Sequence, residues 1–209
     1  MNFLAHFHLA WPDEGLVAGG LEGDFYKGPL RDDLPAALRE GVKLHRAIDA
    51  YTDQHPDMLV LRRHLPDTLR RYAGIIADLS FDHYLSIHWH RFSDQSLPEF
   101  NRSIYAILQR HHDDFSPSAQ QMMSRILEHD ILGIYDRWHT VTATAERIGR
   151  RFGQRNPFHD IERELTPHRE LLEQTFLNFY PQLQSFSRAR VSASPGSDTD
   201  RVARPGKSP

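Results

Sequence analysis

The chain contains no cysteine. That excludes disulfides, thiolate metal sites and cysteine nucleophiles. Long apolar runs are also missing: no stretch approaches the ~18 consecutive apolar residues of a spanning helix, so no membrane segment is expected. Alternating β-branched patterns of useful length are absent, as is any fixed-period repeat. The segment Met1–His6 has no basic stretch, so no secretory signal is expected and the default location is cytoplasmic. Nor is there an excess of positive charge: 25 Lys and Arg stand against 28 Asp and Glu. The balance is uneven along the chain. Residues 187–209 hold five basic and two acidic residues, leaving 20 basic and 26 acidic in the first 186. An acidic body argues against nucleic-acid binding as the main task.

What the chain does have is histidine, 14 of them, all before residue 187. A body rich in histidine and acids, without cysteine, suits metal chemistry through nitrogen and oxygen ligands. At 209 residues the chain is long enough for one domain with a substantial core and a tail.

The most informative stretch runs from Gly41 to Asp53. Ala, Leu, Lys, Arg and Glu dominate from Pro35 onward, and Leu38, Val42, Leu44 and Ile48 recur at helical spacing. On that helix His45 and Asp49 lie four apart, which puts their Cβ atoms on one face about 5–6 Å from each other. Thr52 and Asp53 continue the face if the helix runs on, with Arg46 one step round. The competing reading is a solvated face with a local His–Asp pair.

Other elements read as helices too. Asn2 is a suitable N-cap for a first helix carrying His6 and His8. In Leu16–Phe25, three glycines, Gly19, Gly20 and Gly23, each cost about 1 kcal/mol of helix propensity. Their expected use is close backbone packing that places Asp24 deep in the body. Pro66-Asp67-Thr68 opens an expected long helix reaching Phe92, apolar on nearly every side and therefore buried. Asp78 and Asp82 sit within that run, with His83 beside Asp82. An unpaired buried carboxylate is expensive, so Asp82 is expected to be paired, neutralised or metal-bound. Ser96-Leu-Pro-Glu99 has capping-box spacing. Further helices follow from Ser116-Pro117, over about 140–152, and from Thr166-Pro167 to about Phe186. The expectation is an all-α, compact multi-helix bundle of roughly seven to nine helices. It occupies residues 1–186 as a single domain, with 187–209 a disordered basic tail.

His6, Asp24, His45, Asp49, Asp82 and His83 thus form one constellation across several helices, the way a bundle builds a metal site. Lys27 and Arg46 stand ready to neutralise a phosphate. Four blocks carry a resemblance: Asn2–Ala10, Gly20–Gly28, Gly41–Asp53, and Asp82-His83-Tyr84-Leu85 with His88-Trp89. Together with Phe176–Pro181 they resemble the acyl-carrier-protein phosphodiesterase family, an atypical relative of the HD phosphohydrolases. The resemblance implies hydrolysis of the phosphodiester joining 4′-phosphopantetheine to a serine of holo-acyl carrier protein. It also implies a divalent metal, with manganese expected. His6, Asp24, His45 and Asp82 are the expected metal ligands, and Asp49, His83 and Arg46 the expected catalytic groups. The literal His-Asp pairs, His112-Asp113, His129-Asp130 and His159-Asp160, all fall outside the matched blocks and read as surface. Inside the blocks the order is reversed, Asp82-His83.

An acidic carrier protein needs a basic docking face. Arg62, Arg63, Arg70 and Arg71 are the expected one, because Arg70 and Arg71 share the long helix with Asp82. A second stripe is Arg147, Arg150, Arg151 and Arg155. Two competing readings stand beside this one: an HD-type hydrolase of a nucleotide or other small phosphoester, and a helical module whose His and Asp residues are structural.

Overall fold

The computed structural model describes residues 3–30, 34–152 and 156–193. Among them every regular element is a helix, as the missing β-pattern implies. In chain order these are α1 (Phe3–Ala10), α2 (Glu14–Phe25), α3 (Ala36–Gln54), α4 (Pro56–His64), α5 (Asp67–Arg70) and α6 (Ala73–Ile87). Then come α7 (Leu97–Arg110), α8 (Pro117–Glu128), α9 (Trp138–Gly149), α10 (Ile161–Leu165) and α11 (Arg169–Ser192).

Helix starts follow local chemistry. The Asp13 side chain accepts from Leu16 N at the head of α2. His55 closes α3 and opens α4, with Pro56 in the first turn where its missing N–H does no harm. The Ser96–Glu99 capping box heads α7 as its spacing predicts, with Ser96 N donating to Glu99 Oε2 at 3.3 Å. The expected cap Asn2 lies outside the described residues.

Helix α1 is the hub. It packs against α2, α3, α6 and α11, and Leu4, Ala5 and Phe7 are fully buried. Beneath it, Phe81 of α6 meets Phe176 and Phe179 of α11, with ring centroids 5.5 and 5.9 Å apart. Burying side chains of this kind stabilises the fold by about 1.5–3 kcal/mol each.

Helices α2 and α3 touch through their backbones. A Cβ on Gly15 would meet Ala37 Cβ at 2.4 Å, one on Gly19 would meet Gly41 Cα at 2.6 Å, and one on Gly23 would meet His45 Cγ at 2.5 Å. The constant offset of the three pairs shows that the two helices run parallel. Gly19 and Gly23 thus serve the close packing expected of them. Gly20 instead faces Phe7 at an ordinary 3.9 Å.

Two expectations need correction. The helix expected from Pro66 to Phe92 is three pieces: α5, α6 and a short turn at Trp89–Arg91. The break comes at Arg71 and Tyr72, where Tyr72 N bonds Leu69 O at 2.8 Å and the buried Tyr72 ring packs on Phe158. Tertiary packing of one aromatic overrides local propensity there. Second, the last helix does not stop at Phe186. Ser187 is buried and its Oγ donates to Leu9 O at 2.9 Å, and Val191 packs against the core. These contacts carry α11 on to Ser192; residues 194–209 lie outside the described residues.

Two predictions follow from the packing. Gly19→Ala and Gly41→Ala place a Cβ against backbone that has no room to yield, so each should destabilise by about 1–3 kcal/mol despite alanine's better propensity. Gly74, with nothing within 4 Å of an added Cβ, should accept alanine with a gain of about 0.4–1 kcal/mol. Thermal unfolding of the three variants checks this. Ending the chain at Phe186 should lower Tm, because it removes the Ser187 and Val191 contacts; an unchanged Tm would show that the last turns add nothing.

Candidate metal centre

His6 on α1 and His45 on α3 stack their rings, with centroids 4.0 Å apart and planes 18° apart. Asp49, one turn after His45, receives both. Its Oδ1 lies 3.2 Å from His6 Nε2 and its Oδ2 3.2 Å from His45 Nε2. Asp24, at the end of α2, brings Oδ1 to 3.8 Å from His45 Nε2. Gly23 makes this possible: without a Cβ, α2 rests directly on the His45 ring, and the next residue reaches the imidazole.

The group has two levels. The imidazoles form a buried floor, 3% and 4% exposed, while the Asp49 and Asp24 side chains form a rim, 43% and 38% exposed. Asp24 is therefore at the mouth, not deep in the body. Electrostatics suit metal ligation. Burial, reinforced by His45, lowers the His6 pKa to about 3, so the ring is neutral at physiological pH. Burial alone would raise the Asp49 carboxyl, but His45 and His6 more than reverse it and hold Asp49 ionised. Burial raises the Asp24 carboxyl, opposed by His45.

Donor atoms of His6, His45 and Asp49 all lie within 4.8 Å of one another. His6 Nε2 is buried and, though near Asp49, makes no aligned hydrogen bond. A lone pair so placed, beside a second imidazole and an ionised carboxylate, fits a divalent cation of the borderline type. Asp24 stands beside this group, its Oδ1 3.8 Å from His45 Nε2, but is not one of the three residues whose donors converge.

A family model described as acyl carrier protein phosphodiesterase matches residues 1–183. The chain belongs to that family. Relatives bearing the same name include one from Klebsiella pneumoniae subsp. pneumoniae, 33% identical over 188 residues, and one from Enterobacter sp., 29% identical over 184. Each alignment covers 88% of this chain and 95% of the relative. A third, from Escherichia coli O45:K1, is 30% identical over 188 residues. No solved structure matches. Among the described residues no helix is long and apolar enough to cross a membrane.

Not every expected site residue of this phosphodiesterase family member joins the group. Asp82 lies outside it. Fully buried on α6, it accepts from Leu4 N at 2.8 Å and from Ala5 N at 3.1 Å. It thus caps α1, where orphan N–H groups and the helix dipole favour a carboxylate. Burial pushes its pKa up to about 7, against the pull of those two bonds. Its effect on the centre is indirect: it fixes the turn that begins the helix carrying His6. His83 is also elsewhere, with Nδ1 2.8 Å from Tyr135 O. Arg46 donates through Nη2 to Tyr26 O at 2.9 Å and Gly28 O at 2.8 Å. It pins the turn that carries exposed Lys27, whose charge acts on Asp24. Thr52 bonds Ile48 O, and Asp53 is exposed.

Of the basic residues, Arg62 and Arg63 are exposed on α4. Arg70 pairs with Asp67 at 2.7 Å, and Arg71 lies over the Tyr72 ring. The break at Tyr72 means that neither shares a helix with Asp82. On α9, Arg147 is exposed, as are Arg150 and Arg151 just beyond it; Arg155 lies outside the described residues. His112, His129 and His159 are exposed, as surface chance predicts.

Asp49→Ala, prepared without chelator, should lose bound divalent metal by elemental analysis, while His112→Ala and His129→Ala should retain it. Asp82→Asn should keep the metal but melt at lower temperature, because a buried backbone N–H loses its charged acceptor, worth about 1–3 kcal/mol. A folded Asp82→Asn protein without metal would return Asp82 to the ligand set.

Proposed function

We propose that this chain is a metal-dependent phosphodiesterase that cleaves the bond between 4′-phosphopantetheine and the serine of holo-acyl carrier protein. The products are apo carrier and 4′-phosphopantetheine. The observation that carries the reading is the His6, His45, Asp49 and Asp24 group in a member of this family. His6 and His45 supply nitrogen donors from the floor, and Asp49 and Asp24 supply oxygen donors from the rim. A divalent cation, manganese in this reading, would supply Lewis acidity to the phosphoryl group and acidify an attacking water. Lys27 offsets phosphate charge at the mouth, and Arg46 holds the turn on which Lys27 sits.

For the carrier, the reading favours the basic face on and just after α9. Helix α9 packs on α6, the helix whose Asp82 caps α1 just before His6. Arg70 and Arg71 are engaged locally.

Mass spectrometry of holo carrier protein incubated with enzyme and manganese tests the reaction. The expected change is loss of the phosphopantetheine mass from the carrier. Hydrolysis of nucleotides or small phosphoesters with an unchanged carrier would favour a small-molecule hydrolase. Charge reversal at Arg150 and Arg151 should raise KM for holo carrier about tenfold, with little change in kcat, and leave a small phosphodiester unaffected. The same response from Arg62→Glu with Arg63→Glu instead would place docking on α4.

A further inference from the structure

Tyr72, at the break between α5 and α6, is the middle of an aromatic cluster that reaches the surface. Its ring lies 4.9 Å from that of buried Phe158 and 5.6 Å from that of Phe152. Phe152 also meets Phe158, at 6.0 Å, yet 44% of it stays exposed. Arg71 completes the cluster, its Cζ 4.5 Å from the centroid of the Tyr72 ring. The end of α9 rests on the same group: a Cβ on Gly149 would collide with Phe158 Cβ. Phe152 N bonds Gly149 O at 2.9 Å, so a tight turn brings Arg150 and Arg151 up to Phe152. Arg71 from one basic stripe and Arg150 with Arg151 from the other thereby meet at one aromatic patch.

A cavity of about 530 Å³ opens beside this patch, between α5 and the turn into α10, with Arg71 and Tyr72 in its wall. Its carboxylates are already matched. Asp67 has Arg70 at 2.7 Å, and Asp160 and Glu164 have Arg163 at 2.9 and 3.4 Å. Arg71, Arg150 and Arg151 are exposed, and none of them pairs with a carboxylate among the described residues. A guanidinium stacked on a ring keeps its edge N–H groups for a planar anion. Aromatic residues and arginine are the side chains in which interfaces are enriched over ordinary surface. The unmatched charge selects an acidic partner.

We propose that Phe152, Arg71, Arg150 and Arg151 form the surface on which the carrier protein docks, with an apolar side chain of the carrier seated on Phe152 beside the cavity and its carboxylates on the arginines. The inference rests on the phosphodiesterase reading and makes Phe152, not charge alone, the anchor. The spacing lets the carrier serine reach the centre. Tyr72 precedes Asp82, the cap of α1 beside His6, by ten residues, and ten helical residues rise about 15 Å. A standard interface covers about 800 Å² of each partner, a patch roughly 30 Å across. A carrier seated at the head of α6 spans that distance.

Calorimetric titration of the full-length protein with apo-acyl carrier protein reads docking without turnover. Phe152→Ser should weaken binding about 30-fold, and Phe152→Leu, which keeps an apolar contact, should retain most of it. Arg71→Glu should weaken it about tenfold, and the more so at low salt. On holo carrier, Phe152→Ser and Arg71→Glu should raise KM and spare kcat. Leu59→Ser with Val60→Ser, the exposed apolar pair beside Arg62 and Arg63 on α4, should bind like wild type. Wild-type affinity in a stable Phe152→Ser protein overturns the proposal, as does a loss confined to the α4 pair. If Phe152→Ser melts early, Arg71→Glu decides: wild-type affinity there overturns the proposal. Holo carrier cleaved with an unchanged KM by both variants refutes this surface and keeps the reaction. Carrier that binds through Phe152 but retains its phosphopantetheine refutes the reaction and keeps the surface.

Discussion

The close approach of α2 and α3 is the constraint on which the centre depends. Parallel helices normally sit about 8–10 Å apart, a gap filled by side chains. Here glycine occupies the α2 side of every contact, and at Gly19 and Gly41 the helices meet backbone to backbone. The last of the three contacts is not glycine on glycine but Gly23 on the His45 ring. The register that packs the helices therefore also sets the distance from Asp24 to His45. A single helix presents His45 and Asp49; bringing Asp24 to the same imidazole requires the second helix at this separation.

Asp82 applies the same logic to the other histidine. Helix α1 is only eight residues long, too short to be stable alone. Nearly the whole element is buried, so packing on its neighbours holds it in place. A buried carboxylate on α6 bonds the first N–H groups of α1 and fixes both its position and its rotation about its axis. His6 follows Ala5 directly, so this cap sets where the imidazole stacks. The desolvation that burdens Asp82 is offset by groups that otherwise lack partners at a helix start.

These two devices explain what the sequence could and could not reveal. Helix α3 was legible from its periodicity, and His45 with Asp49 from their spacing of four. His6 and Asp24 were legible as chemistry-bearing residues at apolar-face positions. Asp82 was legible as a buried carboxylate but not as a cap, because its partners are backbone groups 78 and 77 residues away. The break at Tyr72 had only Gly74, two residues on, as a local signal; it goes with packing of the Tyr72 ring against Phe158, far along the chain. The extension of α11 past Phe186 depends on one serine finding the Leu9 carbonyl. In each case the missing information was a long-range partner, not a local preference.

The two-level geometry also bears on substrate class. The bond in the proposed reaction lies beside the carrier's own serine, so a protein surface must approach the reacting phosphorus closely. A centre at the end of a tunnel would exclude it. Here the nitrogen donors are buried while the carboxylates are more than a third exposed, which leaves the phosphoryl group reachable from outside. A small-molecule hydrolase gains nothing from so open a rim, since enclosure would strengthen its electrostatics. The exposed carboxylates are thus the feature that favours a protein-borne substrate.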